Sequence, residues 1–233
     1  MKSSNKIIFG MSLSLVLSFA SPLAAAPTRD WSTWVAHYYE NPQPEKVVTA
    51  VYALSRAGYF EEAGQPATAI GFLATVFAQN PEQVGQWAAA FRDLPAAHQR
   101  LVAAALWYSG VPAGQDYVRA QVRSADPAVR AEVQQLVAST APTLASTAVL
   151  SESSLNLQWG AFVASGNPQH VVNVLTALGS GEPGLSGKAR TALAAKAAAH
   201  AKVYAICEAQ LANQSSEVRA QLTAALSAAS PAR

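Results

Sequence analysis

The feature that most constrains this chain is the spacing of its apolar residues, which recur with a helical period over long stretches while strict alternation is nearly absent. In PEQVGQWAAAFRD, Val84, Trp87, Ala88 and Phe91 form one apolar stripe, and Gln83, Gln86 and Asp93 lie on the opposite side. In SLNLQWGAFVASG, Leu155, Trp159, Phe162 and Val163 repeat the pattern, and in DWSTWVAHYYE, Trp31, Trp34 and Tyr38 make a stripe suited to capping one end of a helical body. Ala-rich runs such as TALAAKAAAHAKVYAICEAQL add helix propensity to helix pattern. The fold class implied is all-α.

The breaks between these stripes recur as well. FAQNPEQVGQW (77–87) and VASGNPQHVVNV (163–174) each place Asn-Pro after an aromatic-rich run, with Pro81 and Pro168 87 positions apart. An Asn side chain can accept from an orphan amide at a helix start, Pro suits the first helical position, and Gln83 stands where a capping-box partner reaches back. Each motif therefore predicts an elbow between antiparallel helices. Asn41-Pro42, Asp126-Pro127 and Ser215-Ser216 share this logic, and the spacings from Asn41 through Asn80, Asp126 and Asn167 to Ser215 are 39, 46, 41 and 48. A helix pair every 40 or so residues is the signature of an α-solenoid, in which each unit buries its apolar face on the next. Phe72 and Trp159 both lie eight residues before their Asn, whereas the first unit is offset and reads as a capping copy.

Asp126-Pro127-Ala128-Val129-Arg130, and more weakly Ser216-Glu217-Val218-Arg219, resembles the start of the second helix in HEAT-type, armadillo-like repeats. The resemblance spans residues 80–229 loosely and departs at an extra helix pair around Pro95–Gln121 and at the weakly patterned stretch 140–154. The chain also resembles secreted helical proteins of bacteria with no assigned activity. The HEAT-type resemblance implies antiparallel helix pairs stacked as an irregular α-solenoid of about 10–11 helices. It further implies a scaffold that offers a binding surface, and by itself no catalysis.

The N-terminus sets the expected compartment. Lys2 and Lys6 precede an apolar run from Ile7 to Ala20, then Pro22 and Ala24-Ala25-Ala26, the three-part pattern of a secretory signal peptide. The run is shorter than the roughly 20 residues a spanning helix needs. Residues 1–26 are therefore expected to be removed near Ala25 or Ala26, placing the protein in the periplasm or outside the cell. Residues 27–229 are expected to form one helical repeat domain and 230–233 a frayed tail. The loops 139–154 and 178–187 are the candidate joints. Cleavage removes two of the 16 Lys+Arg and none of the 14 Asp+Glu. The mature chain is then formally neutral, which gives no support to nucleic-acid binding. The single cysteine, Cys207, cannot form an internal disulfide and reads as a small buried apolar residue.

Signatures of chemistry fail on inspection. GSGEPGLSGKA (179–189) has the wrong glycine spacing for a phosphate loop and Ala189 where a hydroxyl is needed, so it reads as a loop with Ser186 capping the next helix. Gly184-Leu185-Ser186-Gly187 lacks the frame of a nucleophile elbow. His37, His98, His170 and His200 fall on separate predicted helices without metal-ligand spacing. Glu61-Glu62 are adjacent, unlike the carboxylates that flank a glycosidic bond. Trp87, Trp107 and Trp159 lie on stripes and are expected in the core. No catalytic residue, metal ligand or cofactor is assigned. The expectation is a non-enzymatic helical scaffold that recognises another protein in the cell envelope or outside the cell. Gln83, Gln86, Gln135, Gln169 and Asn173 would project from successive helices as uncharged hydrogen-bonding groups. The alternatives are a secreted enzyme acting on cell-wall material and an envelope protein tethered by an uncleaved signal segment.

Overall fold

The computed structural model describes residues 30–123, 127–141 and 143–229. The signal segment, the tail and Asp126 lie outside them. Among the described residues there are no strands and twelve α-helices: α1 (Trp31–Ala36), α2 (Val47–Arg56), α3 (Gln65–Gln79), α4 (Val84–Ala90), α5 (Ala96–Tyr108), α6 (Pro112–Gln121), α7 (Pro127–Ala138), α8 (Glu152–Ser165), α9 (Pro168–Thr176), α10 (Pro183–Ala199), α11 (Ala201–Gln210) and α12 (Ser216–Ala229). No described helix is long and apolar enough to cross a membrane.

Local chemistry explains where several of them start. Asp30 caps α1 by accepting from the amides of Ser32 at 3.0 Å and Thr33 at 3.1 Å. At α8, Ser151 accepts from the Ser154 amide while the Ser154 hydroxyl receives the Ser151 amide, a reciprocal capping box. Pro112, Pro168 and Pro183 occupy the first position of their helices, where a missing N–H costs nothing. Ser186 does not start α10 as expected, because that helix begins at Pro183. Its hydroxyl instead donates to the Leu178 carbonyl, 3.0 Å away, and lies 2.8 Å from Gln221 Oε1 of α12.

The two Asn-Pro elbows are built differently. Asn167 caps α9 as expected, accepting from the Gln169 amide at 3.0 Å. Asn80 makes no such bond and turns the other way, with Nδ2 donating to the Val76 carbonyl of α3 at 2.8 Å. Residues Pro81–Gln83 form a 3-10 turn before α4, and Gln83 makes no capping box.

The centre of the body is the crossing of α3 and α8, the most extensive helix contact in the molecule. A β-carbon on Gly71 would overlap the carbonyl oxygen of Leu157, and one on Gly160 would overlap that of Thr68. Each helix thus presents its glycine to the other's backbone, closer than side chains normally permit. Both helices are enclosed. α8 buries Leu157, Gln158, Gly160 and Ala161 as well as the predicted stripe Leu155, Trp159, Phe162 and Val163, so its one-sided pattern in sequence understates its burial.

Around this crossing the chain forms two local groups. α5 packs on α3, α6 and α7, and α4 on α6. In the second group, α9 packs on α8 and α11, while α10 packs on α11 and α12. The α3–α8 contact joins segments far apart in sequence, which a stack held only by neighbouring units does not contain. The N-terminal aromatics pack on the central helix α3: Trp34 and Tyr38 meet Phe72 edge-on, at ring separations of 5.9 and 5.1 Å. Tyr38, Phe77, Phe91 and Phe162 are fully buried, each contributing about 1.5–3 kcal/mol. Trp87, Trp107 and Trp159 are in the core as expected. Cys207 is also buried, and burial pushes its thiol up to about 11, which favours the thiol over the thiolate.

The stretch 140–154 is anchored at its centre. Gln158, with no exposed surface, donates to the carbonyls of Leu144 at 2.8 Å and Thr147 at 2.9 Å, and Asn173 donates to that of Ala145 at 2.8 Å. A segment whose carbonyls are satisfied from the core is held as part of the body.

Candidate functional site

The five polar residues expected on the binding face have different surroundings. Gln86 and Gln135 are exposed on α4 and α7, and Gln83 is half-buried in the turn before α4. Gln169 is exposed, but its amide donates to Asn173 Oδ1 at 2.9 Å. Asn173 is buried, which corrects its expected position on the polar side. Its carboxamide holds the 144–147 loop because the loop carbonyls would otherwise be desolvated without a partner. Of the five, the structure joins only Gln169 and Asn173 by a hydrogen bond.

Gln135 borders a groove. α5 and α7 line an open space of about 580 Å³. Ala103, Ala104, Val133 and Leu136 give it apolar surface, while Tyr108, Gln135 and Ser139 add polar groups. Arg100 Nε donates to Glu132 Oε2 across the two helices at 2.9 Å. The groove's side-chain polar groups include both hydrogen-bond donors and acceptors.

The four histidines, scattered in sequence, fall into three clusters. His98 is buried, with Nε2 2.7 Å from Glu61 Oε1 and Nδ1 2.8 Å from Ser55 Oγ. The order Ser–His–carboxylate matches a nucleophilic relay, but its exposure is inverted. Glu61 is 59% exposed and stands at the solvent end, while Ser55 is half-buried on the last turn of α2. The arrangement ties α2, the turn at Tyr59–Glu61 and α5 together, with Phe60 edge-on to the imidazole at 5.1 Å.

His170 lies in the Gln158 network. Because Gln158 donates through Nε2 to two carbonyls, its Oε1 must accept, and His170 Nδ1 donates to it at 2.7 Å. The ring is neutral at physiological pH, since burial drives its pKa down to about 4.

The third cluster joins the turn after α1 to the junction of α10 and α11. His37 is the residue after α1, and Glu40 ends the 3-10 turn beyond it. His37 Nδ1 lies 3.0 Å from Glu40 Oε1. His200, the one residue between α10 and α11, brings Nδ1 to 3.8 Å from the same carboxylate oxygen and 3.4 Å from the Tyr39 hydroxyl. One ligand atom from each of His37, Glu40 and His200 lies within 4.8 Å of the others. The His200 side chain is 1% exposed, whereas His37 and Glu40 are open to solvent at 43% and 49%. Hydrogen bonding from His37 holds the Glu40 carboxyl below its ordinary range. Burial, followed by the nearby Lys196 and His37 charges, pushes the His200 imidazole down.

Sequence spacing missed this cluster because its halves are 161 positions apart from Tyr39 to His200. The one local signal was His37 and Glu40, three residues apart at a helix end. The chain matches no protein-family model, no curated protein and no solved structure, so the geometry of these side chains is the basis for a functional reading.

Proposed function

We propose that this chain is an exported, non-enzymatic helical protein that binds an extended segment of another protein in the groove between α5 and α7. The observation that carries the reading is the groove itself, with apolar residues on both helices and hydrogen-bonding side chains beside them. The signal-like N-terminus supports export with cleavage near Ala25 or Ala26. The irregular-solenoid arrangement belongs to the same reading. Within α3–α7 and within α8–α12, contacts run mainly between helices adjacent or next-but-one in the chain, as in stacked helix pairs. Those groups would present open faces, with the α3–α8 crossing as the join between them.

The test is site-specific photo-crosslinking in envelope extracts of the source cells. A benzophenone side chain at Gln135 is expected to yield a discrete protein adduct that the same group at Glu208, exposed on α11, does not. Ala104→Arg, which fills the groove, is expected to remove that adduct. Equal labelling from both positions, or an adduct that survives Ala104→Arg, refutes the groove as the binding site.

A further inference from the structure

We infer that His37, Glu40 and His200 form a binding site for one divalent transition-metal ion of the zinc type. Two imidazoles and one carboxylate are a donor set suited to zinc. At bond lengths near 2.0–2.1 Å, donor atoms around one tetrahedral ion stand about 3.4 Å apart. The 3.0 and 3.8 Å separations to Glu40 Oε1 bracket that value, and all three donor atoms lie within 4.8 Å of one another, so an ion is accommodated when the solvent-open His37 and Glu40 side chains close on it by up to about an ångström.

A second observation supports a ligand here. His200 is almost fully buried and aims Nδ1 into the cluster, yet its nearest polar contacts there are 3.4 Å to Tyr39 and 3.8 Å to Glu40. The Tyr39 contact is a hydrogen bond at the long end of the range, so Nδ1 is weakly held and can turn to an ion. Its position is set by the backbone, because a single extended residue separates α10 from α11. Tyr39 completes the wall. It packs against Phe162 with ring centres 5.2 Å apart and planes tilted by 49°, and the Lys202 ammonium sits over its ring at 5.4 Å. With three protein ligands the ion keeps an open position on the exposed side, formed by His37 and Glu40. The bound ion would staple the turn after α1 to the α10–α11 junction.

The experiment uses the mature chain stripped with a chelator and titrated separately with Zn²⁺ and Co²⁺. One equivalent of Co²⁺ is expected to produce visible ligand-field bands that Zn²⁺ abolishes, and Zn²⁺ is expected to raise the melting temperature. His37→Ala and Glu40→Gln alter partly exposed side chains, leave the core intact, and are expected to weaken Zn²⁺ binding by at least about 100-fold. His98→Asn tests the other His–Glu pair and is expected to leave the affinity unchanged. Absence of binding by the wild-type chain overturns the inference. So does equal affinity in the His37 and Glu40 variants, or loss of binding in the His98 variant alone. Circular dichroism of each variant separates a lost site from a lost fold.

Discussion

The two Asn-Pro elbows are alike in sequence and opposite in chemistry. At the first, α3 runs to Gln79, and Asn80 is the sole residue between that helix and the turn starting at Pro81. Its carboxamide goes to the carbonyl end that α3 leaves open. At the second, α8 ends at Ser165, and Gly166, in the left-handed conformation at φ 63°, sends its amide back to the Phe162 carbonyl. That extra residue closes the old helix, so Asn167 can open the new one. One glycine therefore decides which half of an asparagine is used. The helices they introduce differ too: α4 carries a simple buried stripe, whereas α9 carries His170 and Asn173 into a buried polar network.

The strongest test of this comparison is at the crossing the two sides share. Gly71→Ala and Gly160→Ala each drive a methyl into backbone and are expected to cost more than about 4 kcal/mol by urea unfolding. Gly85→Ala, on α4 with nothing near its added methyl, is expected to stabilise by about 0.5–1 kcal/mol. Similar values for all three would show that α3 and α8 are not in backbone contact.

The next effect concerns only the second side. Gln158→Leu strands the Thr147 carbonyl and the His170 N–H and leaves the Leu144 carbonyl with the Thr147 amide alone, and is expected to cost about 3 kcal/mol with faster amide exchange across 144–147. The same network predicts acid sensitivity. The folded pKa of His170 lies below its unfolded value, so the unfolded chain binds the proton more readily. Stability is full above about pH 6.5 and falls as pH drops towards about 4, by roughly 2–3 kcal/mol. His170→Gln is expected to flatten that slope, and an unchanged slope would place its origin elsewhere.

The smallest effect discriminates the elbows most sharply. Asn→Asp removes a donor and keeps an acceptor. Asn80→Asp is expected to cost about 1 kcal/mol, because a carboxylate cannot donate to the Val76 carbonyl. Asn167→Asp is expected to be neutral or stabilising by a few tenths of a kcal/mol, since Asp is an equal cap and favours a helix N-terminus. Equal responses would mean that the two carboxamides do the same work.

Helices were legible in the sequence because periodicity and caps are local. Val84, Trp87, Ala88 and Phe91 are buried as their spacing predicts, and Pro168 starts its helix. The role of Asn80 was not legible, since donating backward and capping forward call for the same residue. Asn173 looked solvent-facing because its partners, the Ala145 carbonyl and Gln158, come from other elements. The metal-type cluster left no trace in spacing, because a long-range fold contact brings His200 to His37 and Glu40. Small residues were the least informative: nothing beside Gly71 or Gly160 announces that another helix's backbone rests there.

That reciprocal glycine contact also governs the order in which the molecule can form. Chain emerging from a ribosome or an export channel supplies α3 long before α8, and the surface around Gly71 stays wet until residues 152–165 arrive. Closing so large a loop raises the contact order of an otherwise local helical protein and slows its search for the native state. Until α8 arrives, α5 can cover one side of α3, while the surface that α8 will bury stays open to proteases and to misassociation.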